Sequence, residues 1–242
     1  MAQENDFLGA VKRGETSVVA DLLRNQPELI GFADEYHKTG LHWAAETDQV
    51  ETARLLLDSG TDIEALTSWG ATPLEWAANM GSTKVGDLLL ARGATGLTLI
   101  VAAGLGKLEQ VKAVVESGGD LSAHRRRGAP DAPDDHWPAD SAHILRDVLS
   151  DAMHSAARNG HTEVVEYLLG HGAKVDAKGV FGATGLHWAA INGHRQTVEL
   201  LIARGASLTI RDARFNGTPE NWANEGGHTD LANVLRPRKE KL

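Results

Sequence analysis

Between Thr72 and Ala94 the apolar residues fall at helical spacing in two short runs. Leu74 and Ala77 mark one face of a first helix, and Val85, Leu88, Leu89 and Leu90 form the apolar stripe of a second. Thr72 can cap the first helix, a contribution of about 1 kcal/mol. Pro73 at the first helical position sacrifices no hydrogen bond. Gly81 turns the chain between the helices, and Gly93 ends the second one in the left-handed conformation that glycine tolerates. The same pattern predicts helix pairs over 5–25, 39–59, 72–92, 96–117, 151–171, 184–204 and 218–236. The stretch 141–150 also looks helical through Ile144, Leu145, Val148 and Leu149, and it extends the first helix of the pair at 151.

These pairs repeat with a fixed register. Thr39-Gly-Leu-His-Trp-Ala-Ala45, Thr72-Pro-Leu-Glu-Trp-Ala-Ala78, Thr184-Gly-Leu-His-Trp-Ala-Ala190 and Thr218-Pro-Glu-Asn-Trp-Ala-Asn224 share one motif. Ala44, Ala77, Ala102, Ala156 and Ala189 step by 33, 25, 54 and 33 residues, and Gly60, Gly93, Gly118, Gly172 and Gly205 step identically. Two residue types with different roles therefore give one period. They also locate one unit that is 8 residues short and a following one that is 21 residues long.

A 33-residue period carrying T-P-L-H-x-A resembles the ankyrin repeat, and the L-H-W-A-A segments resemble the bacterial single-domain arrays in particular. The resemblance covers nearly the whole chain. It weakens at 95–117, where Leu97-Thr-Leu-Ile-Val-Ala-Ala103 lacks the Thr-Pro start, and it fails at 122–140. It implies an all-α solenoid of six to seven stacked helix pairs with short β-hairpin fingers. Fingers are expected at 61–71, 173–183 and 206–217, with Asp62, Asp176 and Asp212 in similar places. One finger is missing after Gly93, and one is enlarged into an insertion after Gly118. The expected organisation is a single repeat domain over 1–242. A first repeat block spans 37–121, an insertion and helix extension 122–150, a second block 151–236 and a tail 237–242.

Charge and composition narrow the partners. The net charge of −9 opposes nucleic acid or an anionic membrane surface. There is no cysteine, so disulfides and thiol chemistry are excluded. No apolar run approaches the length of a membrane span, and Glu4 and Asp6 stand where a signal peptide needs basic and apolar residues. A monomeric cytoplasmic protein is expected.

The repeat register absorbs most of the 11 histidines. His42, His154 and His187 occupy the T-x-L-H position, where the family resemblance implies hydrogen bonding around the helix start. His161, His194 and His228 follow glycine in the turn within a pair, and His171 precedes Gly172. His37, His124, His136 and His143 fall outside the pattern. The tryptophans Trp43, Trp76, Trp188 and Trp222 share one position on the first helices, which line the concave face of ankyrin proteins. Two readings stay open: packing between neighbouring units, or an aromatic groove for a partner. At the centre of the array, Val101 and Ser155 replace the tryptophan.

The insertion carries Arg126, Asp134, His136 and Trp137. Asp134-Asp135-His136 matches no established zinc spacing, so no metal and no cofactor is expected. No H-E-x-x-H, G-x-S-x-G or phosphate-loop motif is present. Motifs are not required of an acid–base site, so catalysis stays open, although the sequence leans against it. The resemblance implies protein–protein recognition through the concave face and fingers. The alternative is a small-molecule-binding protein or acid–base enzyme, with a central pocket covered by residues 122–140.

Overall fold

The computed structural model describes residues 2–118, 121 and 147–237. These fall into two compact units, one up to Leu97 and one from Thr98, each built of stacked helix pairs around its own core. The boundary coincides with the shortened connection after Gly93.

The first unit contains α1 (Ala2–Arg13), α2 (Thr16–Asn25), α3 (Gly40–Glu46), α4 (Val50–Asp58), α5 (Pro73–Met80) and α6 (Thr83–Ala91), with a 3₁₀ turn at Pro27–Gly31. First helices stack on first helices (α1, α3, α5) and second on second (α2, α4, α6). Phe7, Leu41, Leu56, Leu74 and Leu89 are completely buried between them. Each first helix after α1 starts on a threonine whose neighbours close a capping box. At α5, the Thr72 hydroxyl accepts the Glu75 N–H at 3.2 Å, and the Glu75 carboxylate accepts the Thr72 N–H at 2.9 Å.

The second unit contains α7 (Leu99–Gly104), α8 (Leu108–Glu116), α9 (Val148–Arg158), α10 (Thr162–Gly170), α11 (Gly185–Ile191), α12 (Arg195–Ala203), α13 (Pro219–Glu225) and α14 (Thr229–Leu235). Here α7, α9, α11 and α13 stack in series, and Leu99, Met153, Leu168, Leu186, Leu201 and Leu235 fill the core. The pair without a Thr-Pro start still uses a threonine: the Thr98 hydroxyl accepts the Val101 N–H at 3.3 Å. α9 has 11 residues because it begins early, where the Asp147 carboxylate accepts the Ser150 N–H. The rest of the predicted extension, with Ile144 and Leu145, lies outside the described residues.

The fingers differ from paired hairpin strands. Among the described residues the one β-type pairing is an isolated bridge between Ala33 and Thr39. Each finger is instead a loop closed by one backbone bond. These run from Asp34 N–H to Lys38 O at 3.0 Å, Thr67 to Ala71 at 3.0 Å, Gly179 to Ala183 at 2.8 Å and Asp212 to Gly217 at 3.0 Å. In every one, the residue just before the acceptor has a left-handed backbone: His37, Gly70, Gly182 and Asn216, with φ of 57°, 72°, 68° and 53°.

Asp62, Asp176 and Asp212 do not occupy similar places. Asp62 accepts the N–H of Glu64 within its own loop at 2.9 Å. Asp176 accepts the N–H of Ser207 in the next loop at 2.9 Å, as Glu64 does that of Thr95 at 2.6 Å. Asp212 closes its own finger, as Asp34 does. The two classes look alike in sequence because both are carboxylates in turn-rich loops.

Candidate functional site

In the first unit the fingers and first helices bring four aromatic rings together. Trp69 stacks between Tyr36 and Trp76, with centroids 5.2 and 5.7 Å away. Trp43 lies between two ammonium groups, those of Lys12 and Lys38, each 3.3 Å from its ring centroid. Lys38 also stands 5.0 Å from the Trp76 ring and is 7% exposed. A buried ammonium needs a counter-charge, and Glu46 supplies it at 2.8 Å. The same carboxylate oxygen accepts the Trp76 indole N–H at 2.9 Å, while Asp34 accepts that of Trp43 at 3.1 Å. Asp34 is held by its own finger, where it accepts the N–H groups of Tyr36 and Lys38.

The second unit repeats the theme with other residues. Phe181 lies 6.3 Å from Trp188, and Trp188 meets Trp222 edge-on at 5.0 Å. The Arg158 guanidinium sits 4.7 Å over Trp188, and Arg214 covers Phe181 at 4.8 Å and Phe215 at 5.3 Å. Trp222 is buried, and Asp212 accepts its indole N–H at 3.0 Å. Burial of Asp212 opposes its ionisation. Hydrogen bonds from Phe215, Trp222, Gly217 and Arg214 outweigh that and hold its pKa below the usual carboxylate value.

The sequence places Trp43, Trp76, Trp188 and Trp222 at one register, and the structure gives them different surroundings. Trp43, Trp76 and Trp188 are half-buried, whereas Trp222 is packing. Arg126, Asp134, His136 and Trp137 lie outside the described residues. The pattern missed the finger aromatics. Tyr36, Trp69, Phe181 and Phe215 each stand three residues before the threonine that caps the following helix. That aromatic-x-x-Thr spacing was readable, although three different ring types disguise it.

Four of the recurrent histidines, His42, His161, His187 and His194, are structural, whereas His154 lies within α9 rather than at a helix start. Nδ1 of His42 accepts the Thr39 N–H at 3.2 Å, and its Nε2 faces Ala71 O at 3.1 Å; His187 does the same with Thr184 and Gly217. The turn histidines reach the preceding pair: His161 to Gly104 O at 3.0 Å and His194 to Arg158 O at 2.9 Å. Burial pushes His42 down to about 4, and burial also lowers His161, His187 and His194.

Among the described residues no cluster of His, Asp or Glu could hold a metal ion, and no helix is long and apolar enough to cross a membrane. A pocket of about 360 Å³ in the first unit is lined by Leu23, Pro27, Ile30 and Leu55, and no tryptophan lines it.

The family model described as "Ankyrin repeats (3 copies)" matches residues 7–98, 99–212 and 153–241. The chain is 38% identical over 93 residues to the 26S proteasome non-ATPase regulatory subunit 10 of Dictyostelium discoideum, covering 38% of this chain and 40% of that protein. It is 37% identical over 81 residues to a transient receptor potential cation channel subfamily A member 1 homolog of Caenorhabditis elegans, covering 34% of this chain and 7% of that protein. The matches thus span well under two thirds of either relative. The human ASB11 ankyrin repeat domain aligns at 20% identity with a TM-score of 0.47, over 96% of this chain and 98% of that one. The motif register, the stacked helix pairs and three family matches running from residue 7 to residue 241 agree, and the chain belongs to the ankyrin-repeat family.

Proposed function

We propose that this protein is a non-covalent protein-recognition scaffold that binds through its fingers and the exposed edges of its first helices. The observation that carries this reading is the recurrent finger aromatic. Tyr36 and Phe215 are 38% and 67% exposed, yet their neighbours hold them in place by stacking or by a guanidinium. Exposed rings fixed in advance bind partners at low entropic cost, which is how aromatic and arginine side chains dominate interfaces. Trp43 and Trp76 add half-buried ring surface in the first unit and Trp188 adds it in the second, where Trp222 packs edge-on against Trp188.

The test is selection of a displayed library of random peptides on the immobilised full chain. Wild type should enrich a peptide family. Trp69→Ala and Phe215→Ala should each leave the helical circular dichroism intact. For peptides that use that ring, affinity should fall about thirtyfold, the scale of a 2 kcal/mol hot spot. Selection that enriches nothing would refute the reading.

A further inference from the structure

We propose that the outer face of Trp43 is a seat for a lysine or arginine side chain from a basic segment of a partner protein, and that Lys12 fills this seat in the free protein. The inference rests on the protein-recognition reading above and names the partner's chemistry.

Two ammonium groups, those of Lys12 and Lys38, each lie 3.3 Å from the centroid of Trp43. At that distance each stands close to the ring normal. Two like charges cannot share one face so closely, so they occupy opposite faces. Lys38 holds the inner face. It is buried, paired with Glu46 at 2.8 Å and near the Trp76 ring. Lys12 covers the outer face. It is exposed in the last turn of α1, and among the described residues it rests on the ring with no carboxylate within ion-pair distance. The adjacent Arg13 takes the ordinary alternative and binds Glu15 through two bonds of 2.8 Å. An exposed ammonium on an indole is held weakly. A cation brought by a partner therefore replaces it at little cost, and Lys12 marks the chemistry that this face accepts.

The ring is tuned for that chemistry. Trp43 donates its indole N–H to the Asp34 carboxylate at 3.1 Å. Donation to an anion pushes electron density into the ring and strengthens the negative face that attracts a cation. The fingers add attraction at longer range. Residues 32–39 and 61–71 hold four carboxylates, Asp34, Glu35, Asp62 and Glu64, against one lysine, Lys38, whose charge Glu46 balances. Asp34, Asp62 and Glu64 accept main-chain N–H groups, which leaves their charge in place. Glu35 is exposed on the same finger as Asp34. Such a surface steers a basic segment towards the ring.

The seat is also preset. The Tyr36 and Lys38 N–H groups fix the Asp34 carboxylate, and the Ser68 N–H donates to Tyr36 O at 2.9 Å, which ties the two fingers together. Tyr36 and Leu66 are exposed on these fingers and offer apolar contact to a large side chain of the same segment. Little ordering is left for binding to impose.

The experiment continues the peptide selection on the full chain. Wild type should enrich a family that carries Lys or Arg beside a large apolar residue and whose affinity weakens with added salt. Lys12→Ala empties the seat and should tighten that family about threefold, the weight of one exposed cation–π contact. Trp43→Phe should weaken it by about threefold or more. Glu35→Gln alters one exposed side chain, so folding is not at issue, and should also weaken it. Lys84→Ala removes an exposed lysine of α6 and makes the same change in net charge as Lys12→Ala; it should leave the affinity unchanged. Enriched families that are all neutral or acidic, or a basic family that Lys12→Ala tightens no more than Lys84→Ala does, would overturn the inference and leave protein recognition standing. Equal affinity for spermine would overturn it in favour of a small polyamine site. An empty selection would refute the recognition reading and this inference together.

Discussion

Acidification should destabilise the fold through His42 before the carboxylates protonate, because the unfolded histidine takes up its proton first. The side chain is completely buried. Nδ1 accepts the Thr39 N–H, so the proton sits on Nε2 and is donated to Ala71 O at 3.1 Å. Protonating Nδ1 would set two donors against each other. Burial is the main cause of a pKa of about 4; the nearby Lys38 ammonium adds to it, and Ala71 O and Asp34 oppose it. An unfolded histidine titrates near 6.5. Above that value both states are neutral and the contribution to stability is complete. Below it the unfolded chain takes up the proton first, so stability falls until the folded pKa is reached. Linkage gives a loss of about 2 kcal/mol at pH 5 and about 3 kcal/mol at pH 4. The assay is urea unfolding followed by circular dichroism from neutral pH to pH 5, on wild type and His42→Gln. Glutamine at this position keeps an acceptor for the capping box and has no proton to gain. His161, His187 and His194 are lowered as well, so wild type should lose more than one histidine's share. The gap between wild type and His42→Gln should therefore narrow by about 2 kcal/mol on going to pH 5. Parallel curves would refute the argument.

Leu89→Ala removes a fully buried side chain from α6 and should cost about 2–5 kcal/mol in urea unfolding; a loss below about 1 kcal/mol would contradict its place in the core. Asp212→Ala leaves four N–H donors without their acceptor and should cost about 3 kcal/mol. Thermal melts should show that loss together with a changed near-ultraviolet signal from Trp222, and an unaltered melt would show that the finger closes without the carboxylate.

The helix pairs were legible because their signals are local and redundant. Thr72, Pro73, Gly81 and Gly93 mark the boundaries that periodic Leu and Val positions also imply, and every one of the seven predicted pairs is found. Even the degenerate pair at 96–117 kept its capping threonine, Thr98. The finger architecture was less legible, because turn-closed loops and paired strands share the same Gly, Asp and Asn vocabulary. The shared register of the tryptophans also said little about their exposure. Trp222 is covered while Trp188 is half-exposed, a difference set by the residues stacked around each ring. Lys38 was invisible as a site residue because nothing in sequence announces that a lysine will lie between two indoles and a glutamate. Tyr36, Trp69, Phe181 and Phe215 were readable in principle, and a search for spacing to the capping threonine finds all four.

The histidine bonds between neighbouring pairs share one property. His42, His161, His187 and His194 all reach main-chain carbonyl oxygens of an adjoining repeat: Ala71, Gly104, Gly217 and Arg158. A backbone oxygen is offered by any residue type, so none of these joints asks the neighbour for a matching side chain. These histidine joints therefore need no compensating substitution next door when a pair is duplicated, lost or exchanged. The finger sequences are free to diverge while the joints beneath them stay interchangeable, and an array of this kind can acquire a new specificity by shuffling whole units.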